Sequence, residues 1–498
     1  MADDPTAHSP SVWRYARASR VHVVIDAAPY FALMQQALLR ARQRIMMIGW
    51  DFDTRILLGQ GRRWWNLPDK LAYPARLGPF VSWLCKRTKG LEVRVLKWNF
   101  GALRFIFRGS MILDLYRWWR NPAIDFKFDS AHPLGCSHHQ KIVVIDDRFA
   151  VCGGIDMTAG RWDTPEHKEA DLRRRLPYSP RLFGPWHDLT LMVEGDAATA
   201  LGDLGRERWQ QAGGKPMKLC TPQITSPWPS ALKADFTDVE LGIARTRSQW
   251  KSVGEVREIE ALFLEHIARA QRFIYAESQY FASRVIAEAI ARRVAEPDPP
   301  EIVLINPLTA EGWLEVVAMD GARVRLAHAI REVDHRQRFR IFVPHNAAGT
   351  PIYVHSKTMI VDDEILRIGS ANMNNRSLGL DSECDMFIDA ARPGNGHARA
   401  GITKLRHALL AEHLGLPRRE VEAALARDPS MLALIGNAPR RGKYLEPFAL
   451  RPLTETERAV ADNALLDPER PEELFEPISK RQGLFRRGSF LRRPRLEV

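Results

Sequence analysis

One string occurs twice in this chain, once in each half: His139-Gln-Lys141-Ile-Val-Val-Ile-Asp146 and His355-Ser-Lys357-Thr-Met-Ile-Val-Asp362. Gly153 follows His139, and Gly369 follows His355, at the same interval. The recurrence extends upstream. Around Gln43 the chain reads Ala-Arg-Gln-Arg-Ile-Met-Met-Ile-Gly-Trp, and around Gln271 it reads Arg-Ala-Gln-Arg-Phe-Ile-Tyr-Ala-Glu-Ser. Each is a polar helix end running into a short apolar strand. The strand-like runs Leu91–Leu96 and Glu301–Ile305 form a further matching pair. Self-similarity in this order is the mark of one duplicated unit. Strand signals alternate with helical ones, which predicts an α/β fold: two similar α/β/α sandwich domains with mixed, mainly parallel sheets flanked by helices.

The length agrees with duplication, because 498 residues exceed one ordinary core and two domains of roughly 200 residues each fit the chain. We place an N-terminal extension at 1–20, a first unit at 21–235, a second at 236–440 and a basic C-terminal extension at 441–498. The boundary between units rests on the Pro, Ser and Thr residues between Cys220 and Ser230. The C-terminal extension holds Pro452, Pro468, Pro471 and Pro477 among mixed charges, and is expected to have little fold of its own. A hydrophobic content of 45% excludes a disordered or fibrous chain.

The formal charge is +12. Lys480, Arg481, Arg486, Arg487, Arg492, Arg493 and Arg495 stand against Glu497 in the final segment, which favours an anionic partner and says nothing of fold. Five scattered cysteines without Cys-x-x-Cys spacing support neither a disulfide framework nor a zinc site. The N-terminus carries acids where a secretory signal carries bases, and no stretch approaches the ~20 apolar residues of a membrane span. The expected location is cytoplasmic, peripheral at the inner membrane face.

In a strand, residues i and i+2 share a face, so His139 points with Lys141 and His355 with Lys357. Imidazole beside ammonium suits a phosphodiester. Lysine offsets charge growing on the non-bridging oxygens while one imidazole attacks phosphorus and another protonates the leaving oxygen. One histidine cannot serve both sides of the phosphorus. Two motifs facing each other across a domain interface, a pseudo-dimer with one active site, meet that geometry without metal or other cofactor. A lone His-x-Lys is more often a surface pair; two copies with matching downstream glycines are not. Asp146 and Asp362 complete the motif, but their odd offset from lysine puts them on the other strand face, where they brace the fold. After the motifs, Gly153-Gly154-Ile-Asp156 and Gly369-Ser370-Ala-Asn372 place small residues and polar side chains for a phosphate.

Together with His138-His139-Gln-Lys141, Gly160-Arg161-Trp162-Asp163, Pro185-Trp186-His187-Asp188, Glu277-Ser-Gln279-Tyr280-Phe281 and Asn372-Met-Asn374-Asn375-Arg376-Ser377, these runs resemble the phospholipase D superfamily, the HKD enzymes, and within it the plant and animal catalytic core. The resemblance covers roughly residues 35–415. Ser278 stands where the family usually has Asn. The resemblance implies that His139 is the nucleophile forming a phosphohistidine and His355 the general acid, then base. Lys141 and Lys357 bind phosphate, and Asn372, Asp156 and Ser370 border the substrate. A carboxylate must fix each histidine tautomer. Glu383 matches the family's acid in the second half; in the first, Asp171 and Asp188 compete.

A lipid-type substrate is expected: a glycerophospholipid, phosphatidylcholine or phosphatidylethanolamine, hydrolysed to phosphatidic acid and head group, with transfer to alcohols. The alternatives are a cardiolipin synthase-like phosphatidyltransferase and a metal-independent nuclease. Arg62-Arg-Trp64-Trp65, Tyr116-Arg117-Trp118-Trp119-Arg120 and the tail Leu484-Phe485-Arg486-Arg487 through Phe490-Leu491-Arg492-Arg493 mix aromatic or apolar with basic residues, as suits a phospholipid surface. Water or a small alcohol is the expected acceptor, nucleic acid is a less favoured partner, and no obligate protein partner is evident.

Overall fold

A computed structural model describes residues 10–61, 73–99, 109–177, 179–222, 224–311, 316–462, 467–469, 484–485 and 489–494. Its first-half strands are β1 (Arg14–Ile25), β2 (Arg44–Gly49), β3 (Glu92–Trp98), β4 (Ile124–Asp129), β5 (Ile142–Ile145), β6 (Phe149–Gly153), β7 (Trp186–His187) and β8 (Leu189–Glu194). Those of the second half are β9 (Phe236–Arg247), β10 (Val256–Arg257), β11 (Phe273–Glu277), β12 (Glu301–Ile305), β13 (Phe339–His345), β14 (Tyr353–Val354), β15 (Thr358–Val361), β16 (Ile365–Gly369), β17 (Glu383–Asp389) and β18 (Tyr444–Pro447).

The two units share one sheet of 16 strands, ordered β18-β13-β12-β11-β15-β16-β17-β9-β1-β8-β6-β5-β2-β3-β4, with β10 beside β9. Read outward from the β9–β1 seam, each side has the same sequence of strands, so the duplication is a pseudo-twofold in space. At the seam β1 and β9 pair antiparallel from Arg14↔Ile243 to Val21↔Phe236. The sheet is mixed, as expected, but mainly antiparallel rather than mainly parallel: its parallel pairs (β2–β3, β3–β4, β11–β12 and β12–β13) are confined to the outer part of each half. Nearer the seam the links are short, as from Ile145 to Phe149, and short links return the chain antiparallel.

Strands such as Ile142–Ile145 and Phe149–Gly153 are buried at every position, the pattern of a sheet covered on both faces. The core of one face runs continuously across the seam, from Val193 and Leu201 through Val21 and Leu241 to Met386 and Leu409. Helices Asp196–Gln211 and Ala398–Leu414 occupy equivalent places on it. The other face has a separate core in each half. The halves therefore bury their seam in common. Arg14 already lies in the seam strand, within the segment read as an N-terminal extension.

The described residues after 440 are also packed more closely than their composition suggests. Tyr444–Pro447 adds an edge strand to β13, and Ala461, Leu484 and Leu491 are buried in the second-half core. Asp467 accepts hydrogen bonds from the backbone N–H of Asn375 and Arg376. Leu484 and Leu491, read as part of a membrane-docking tail, thus face the protein. Lys480, Arg481, Arg486, Arg487 and Arg495 lie outside the described residues, as does Arg62-Arg-Trp64-Trp65.

Candidate active site

Each motif histidine is held by a carboxylate from the opposite half. His139 Nδ1 lies 2.9 Å and 3.0 Å from the two oxygens of Glu383, and His355 Nδ1 lies 2.7 Å from Asp188 Oδ2. Backbone pairing across the seam causes this exchange. β14 pairs in parallel with β7, Tyr353 against Trp186 and Val354 against His187, and His355 N–H donates to the His187 carbonyl. In the equivalent place His138 bridges Ser382, and His139 N–H donates to the Ser382 carbonyl. The residue after each pairing partner is the acid. A carboxylate that accepts a hydrogen bond from Nδ1–H leaves the lone pair on Nε2; among the described residues no hydrogen bond is made by Nε2 of either imidazole.

Close backbone approach makes room for this. A side chain at Gly154 would put its Cβ 1.9 Å from Asp188 Oδ1, and one at Gly369 would lie 1.9 Å from Asp385 Oδ1. Asp385 accepts hydrogen bonds from the Ser370 and Ala371 N–H groups, and Arg367 pairs with it.

Lysines and histidines share one buried field. Burial, then the cations Lys141 and Lys357, hold the His139 imidazole well below its ordinary value. Burial, then Lys357, Arg161 and Lys141, do the same for His355, which also feels His139. Both are therefore neutral bases when no anion is bound. Burial pushes Glu383 up to about 8 and Asp188 up to about 7, against the pull of Lys141 and Lys357 respectively. Burial also brings Lys357 down to about 7. A phosphate monoanion would counter both lysines and favour protonation of one imidazole.

Lys141 Nζ is 3.3 Å from Asp156 Oδ2, and Asp156 Oδ1 also accepts from Trp50 N–H. Lys357 Nζ donates to Gln279 Oε1 at 3.3 Å, and Asn372 Nδ2 reaches the same oxygen at 3.4 Å. Asn372 Oδ1 is buried without a hydrogen-bond partner. Asp156 and Asn372 are thus placed beside the two lysines.

Two expectations change, those for Ser370 and for Asp171. Ser370, taken for a substrate contact, donates its hydroxyl to Glu383 and accepts from Cys384 N–H, so it steadies the acid behind His139. Asp171 is held by Arg173 through three side-chain hydrogen bonds and makes none to a motif histidine, because its loop turns back on itself at that residue. Of the two candidates, Asp188 holds His355. Asp146 and Asp362, counted with the catalytic motif, accept three backbone N–H bonds each, from Arg42, Gln43 and Arg44 and from Gln271, Arg272 and Phe273. Both sit at φ 54°. They fasten the start of β2 and β11 and touch no imidazole.

Sequence reasoning passed over several neighbours. Trp50 meets the His139 ring edge-on with centroids 6.5 Å apart and stacks on Trp98. Trp186 lies 5.1 Å from the His355 ring, and the Arg161 guanidinium lies over the Trp186 ring at 4.2 Å. Trp50 ends the apolar run that recurs around Gln271, a signal that was available. Asp147 and Asp363, just after the motif acids, pair with Arg206 and Arg406 at matching places on the covering helices.

Comparison with known proteins identifies the family. The phospholipase D family model matches residues 37–289 and 334–441, which include both motifs. Phospholipase D A of Dictyostelium discoideum is 25% identical over 481 residues, covering 82% of this chain and 36% of that protein. Phospholipase D alpha 1 of Carica papaya is 25% identical, covering 76% and 63%. Phospholipase D1 of Saccharomyces cerevisiae is 27% identical, covering 79% and 28%. The chain thus spans less than two thirds of the length of these relatives. The crystal structure of phosphatidylserine synthase from Haemophilus influenzae aligns over 84% of this chain and 96% of that one, with a TM-score of 0.51 and 13% identity, a likeness of fold. By the extent of the family match and the paired motifs within it, the chain belongs to the phospholipase D family of phosphodiesterases.

Proposed function

We propose that this chain is a phospholipase D that hydrolyses glycerophospholipids through a phosphohistidine on His139. The crosswise pairing of His139 with Glu383 and His355 with Asp188 carries the reading, since it leaves one nitrogen free on each of two imidazoles sharing two lysines. Nε2 of His139 attacks phosphorus, and the bond to the head-group oxygen breaks as His355 gives that oxygen a proton. Water then attacks phosphorus, its proton passes to His355, and the P–N bond breaks to release phosphatidic acid. An alcohol in place of water yields a phosphatidylalcohol. Lys141, Lys357 and Asn372 stabilise charge on the non-bridging oxygens.

A phospholipid surface as partner is supported by helix Met111–Trp119. Met111 and Trp118 are buried, while Ile112, Leu113, Tyr116 and Trp119 form an outward apolar face, Trp119 being 79% exposed. Arg117 and Arg120 lie beside it. An aromatic and basic face of this kind suits an interface. No helix among the described residues is long and apolar enough to cross a membrane.

The test is incubation with phosphatidylcholine or phosphatidylethanolamine vesicles and a primary alcohol. Phosphatidic acid and phosphatidylalcohol are expected together, and both should vanish in His139→Asn. Absence of both products across head groups overturns the proposal. Transfer to a second phospholipid, or cleavage of DNA in parallel reactions, would instead favour the phosphatidyltransferase or nuclease alternatives.

A further inference from the structure

Behind His355, away from the pair of lysines, Asp26, His167, His187 and Glu412 turn one ligand atom each toward a common point. They come from the end of β1, the loop after Asp163, β7 and the covering helix of the second half. The side chains of Asp26, His167 and His187 are fully buried and that of Glu412 nearly so. We propose that these four residues form a site for one divalent transition-metal ion of the zinc class, fastening the two halves of the chain together behind the active site.

Spacing is the first argument. His187 Nδ1 lies 3.3 Å from Asp26 Oδ1 and 3.0 Å from Glu412 Oε1; His167 Nε2 lies 3.7 Å from Asp26 Oδ2 and 3.2 Å from Glu412 Oε1. Zinc bonds of about 2.0–2.1 Å in a tetrahedron put neighbouring ligand atoms about 3.3–3.4 Å apart. The two Glu412 separations and the one to Asp26 Oδ1 lie close to that value, and the longer one is to the second Asp26 oxygen.

Direction is the second. Of the four contacts, only His167 Nε2 to Glu412 Oε1 has hydrogen-bond geometry. His187 Nδ1 and Asp26 Oδ2 are buried with no hydrogen-bond partner although opposite charges surround them. Direct imidazolium–carboxylate pairs would place oxygen along the N–H bond. Ligand atoms around a central ion crowd one another off that axis.

The outer contacts are the third. His167 turns its other nitrogen to Asp163 at 2.9 Å, and His187 turns its other nitrogen to Glu277 at 3.0 Å. Metal-bound histidines habitually direct their second nitrogen to a carboxylate, which fixes the ring and raises its basicity. These carboxylates are themselves held, Asp163 by Arg174 and Trp186 N–H, Glu277 by His413 and Tyr275. Two neutral imidazoles and two carboxylates make a neutral set with a divalent ion. Two nitrogens and two oxygens suit zinc, whereas calcium takes 6–8 oxygens.

The ion would have no part in bond breaking. It would position His187, whose neighbour Asp188 holds His355, and it would join β1 and β7 to helix Ala398–Leu414.

The experiment is metal analysis of the full chain, purified without chelator and again after refolding with zinc. About one zinc per chain is expected, with an X-ray absorption shell of nitrogen and oxygen near 2.0 Å and no sulfur. His167→Ala and Glu412→Gln should each lose the ion, and wild-type protein refolded with EDTA should melt at lower temperature than protein refolded with zinc. A wild-type chain holding less than about 0.1 metal per chain after refolding with zinc, a sulfur shell, or full retention of the ion in both variants overturns the proposal. The wild-type measurement decides even if a variant does not fold.

Discussion

Asp188 and Glu383 each reach across the seam to a histidine of the other half, so small changes beside them act on the chemistry. Gly154→Ala is the sharpest case, because the new Cβ would lie 1.9 Å from Asp188 Oδ1. Displacing that carboxylate misaligns His355, and kcat should fall by about 100-fold, the scale of an ångström misplacement, with a folded circular dichroism spectrum. A residue outside the site contributes to acid sensitivity. His266 is fully buried, neither ring nitrogen has a hydrogen-bond partner, and burial holds it well below its usual 6.5. The unfolded chain binds a proton there below about pH 6.5 and the folded one does not, so stability falls as pH drops below that value. His266→Phe should flatten the decline between pH 6.5 and 5 in urea titrations. An unchanged slope would show that His266 is protonated in the folded state.

At the scale of elements, the motif acids fasten strands. Asp146→Ala leaves three backbone N–H groups of β2 and the residues before it without their acceptor and should cost about 3 kcal/mol, read as a lowered urea midpoint. The folded fraction should keep most of its kcat, which a catalytic aspartate would not allow. Helix Met111–Trp119 makes a separate prediction. Replacing Ile112 and Trp119 with Ser should weaken vesicle binding at least tenfold, about 1.4 kcal/mol, while turnover of a short-chain soluble phosphodiester stays unchanged. Equal loss on both substrates would place the helix in the catalytic machinery. The exposed face of this helix was half legible in Tyr116-Arg117-Trp118-Trp119-Arg120. Sequence alone could not tell that Trp118 turns inward to donate to the Gly78 carbonyl while Trp119 turns out.

For the whole molecule, the duplicated α/β unit and the histidine–lysine faces were legible because each motif is contiguous and strand periodicity dictates which side chains travel together. What stayed hidden depends on which distant segments meet. Asp171 and Asp188 were equivalent on paper; pairing of β7 with β14 selects Asp188, and the separate bridge between His138 and Ser382 brings Glu383 to the first-motif histidine. The shared seam was equally hidden, since Arg14 was read as tail and only its pairing with Ile243 places it in the sheet. Asp26, His167, His187 and Glu412 carry no common spacing and become a set only when both halves close on them. The proposed mechanism assigns unequal roles to the two histidines, and intact-mass analysis of His355→Asn with a phosphatidyl-p-nitrophenol substrate tests this most directly. That leaving group needs no proton, so a phosphatidyl adduct should form on His139 and persist for lack of a base to activate water. His139→Asn should show no adduct. An adduct on His355 in that variant, or none on His139 in the first, would contradict the assignment.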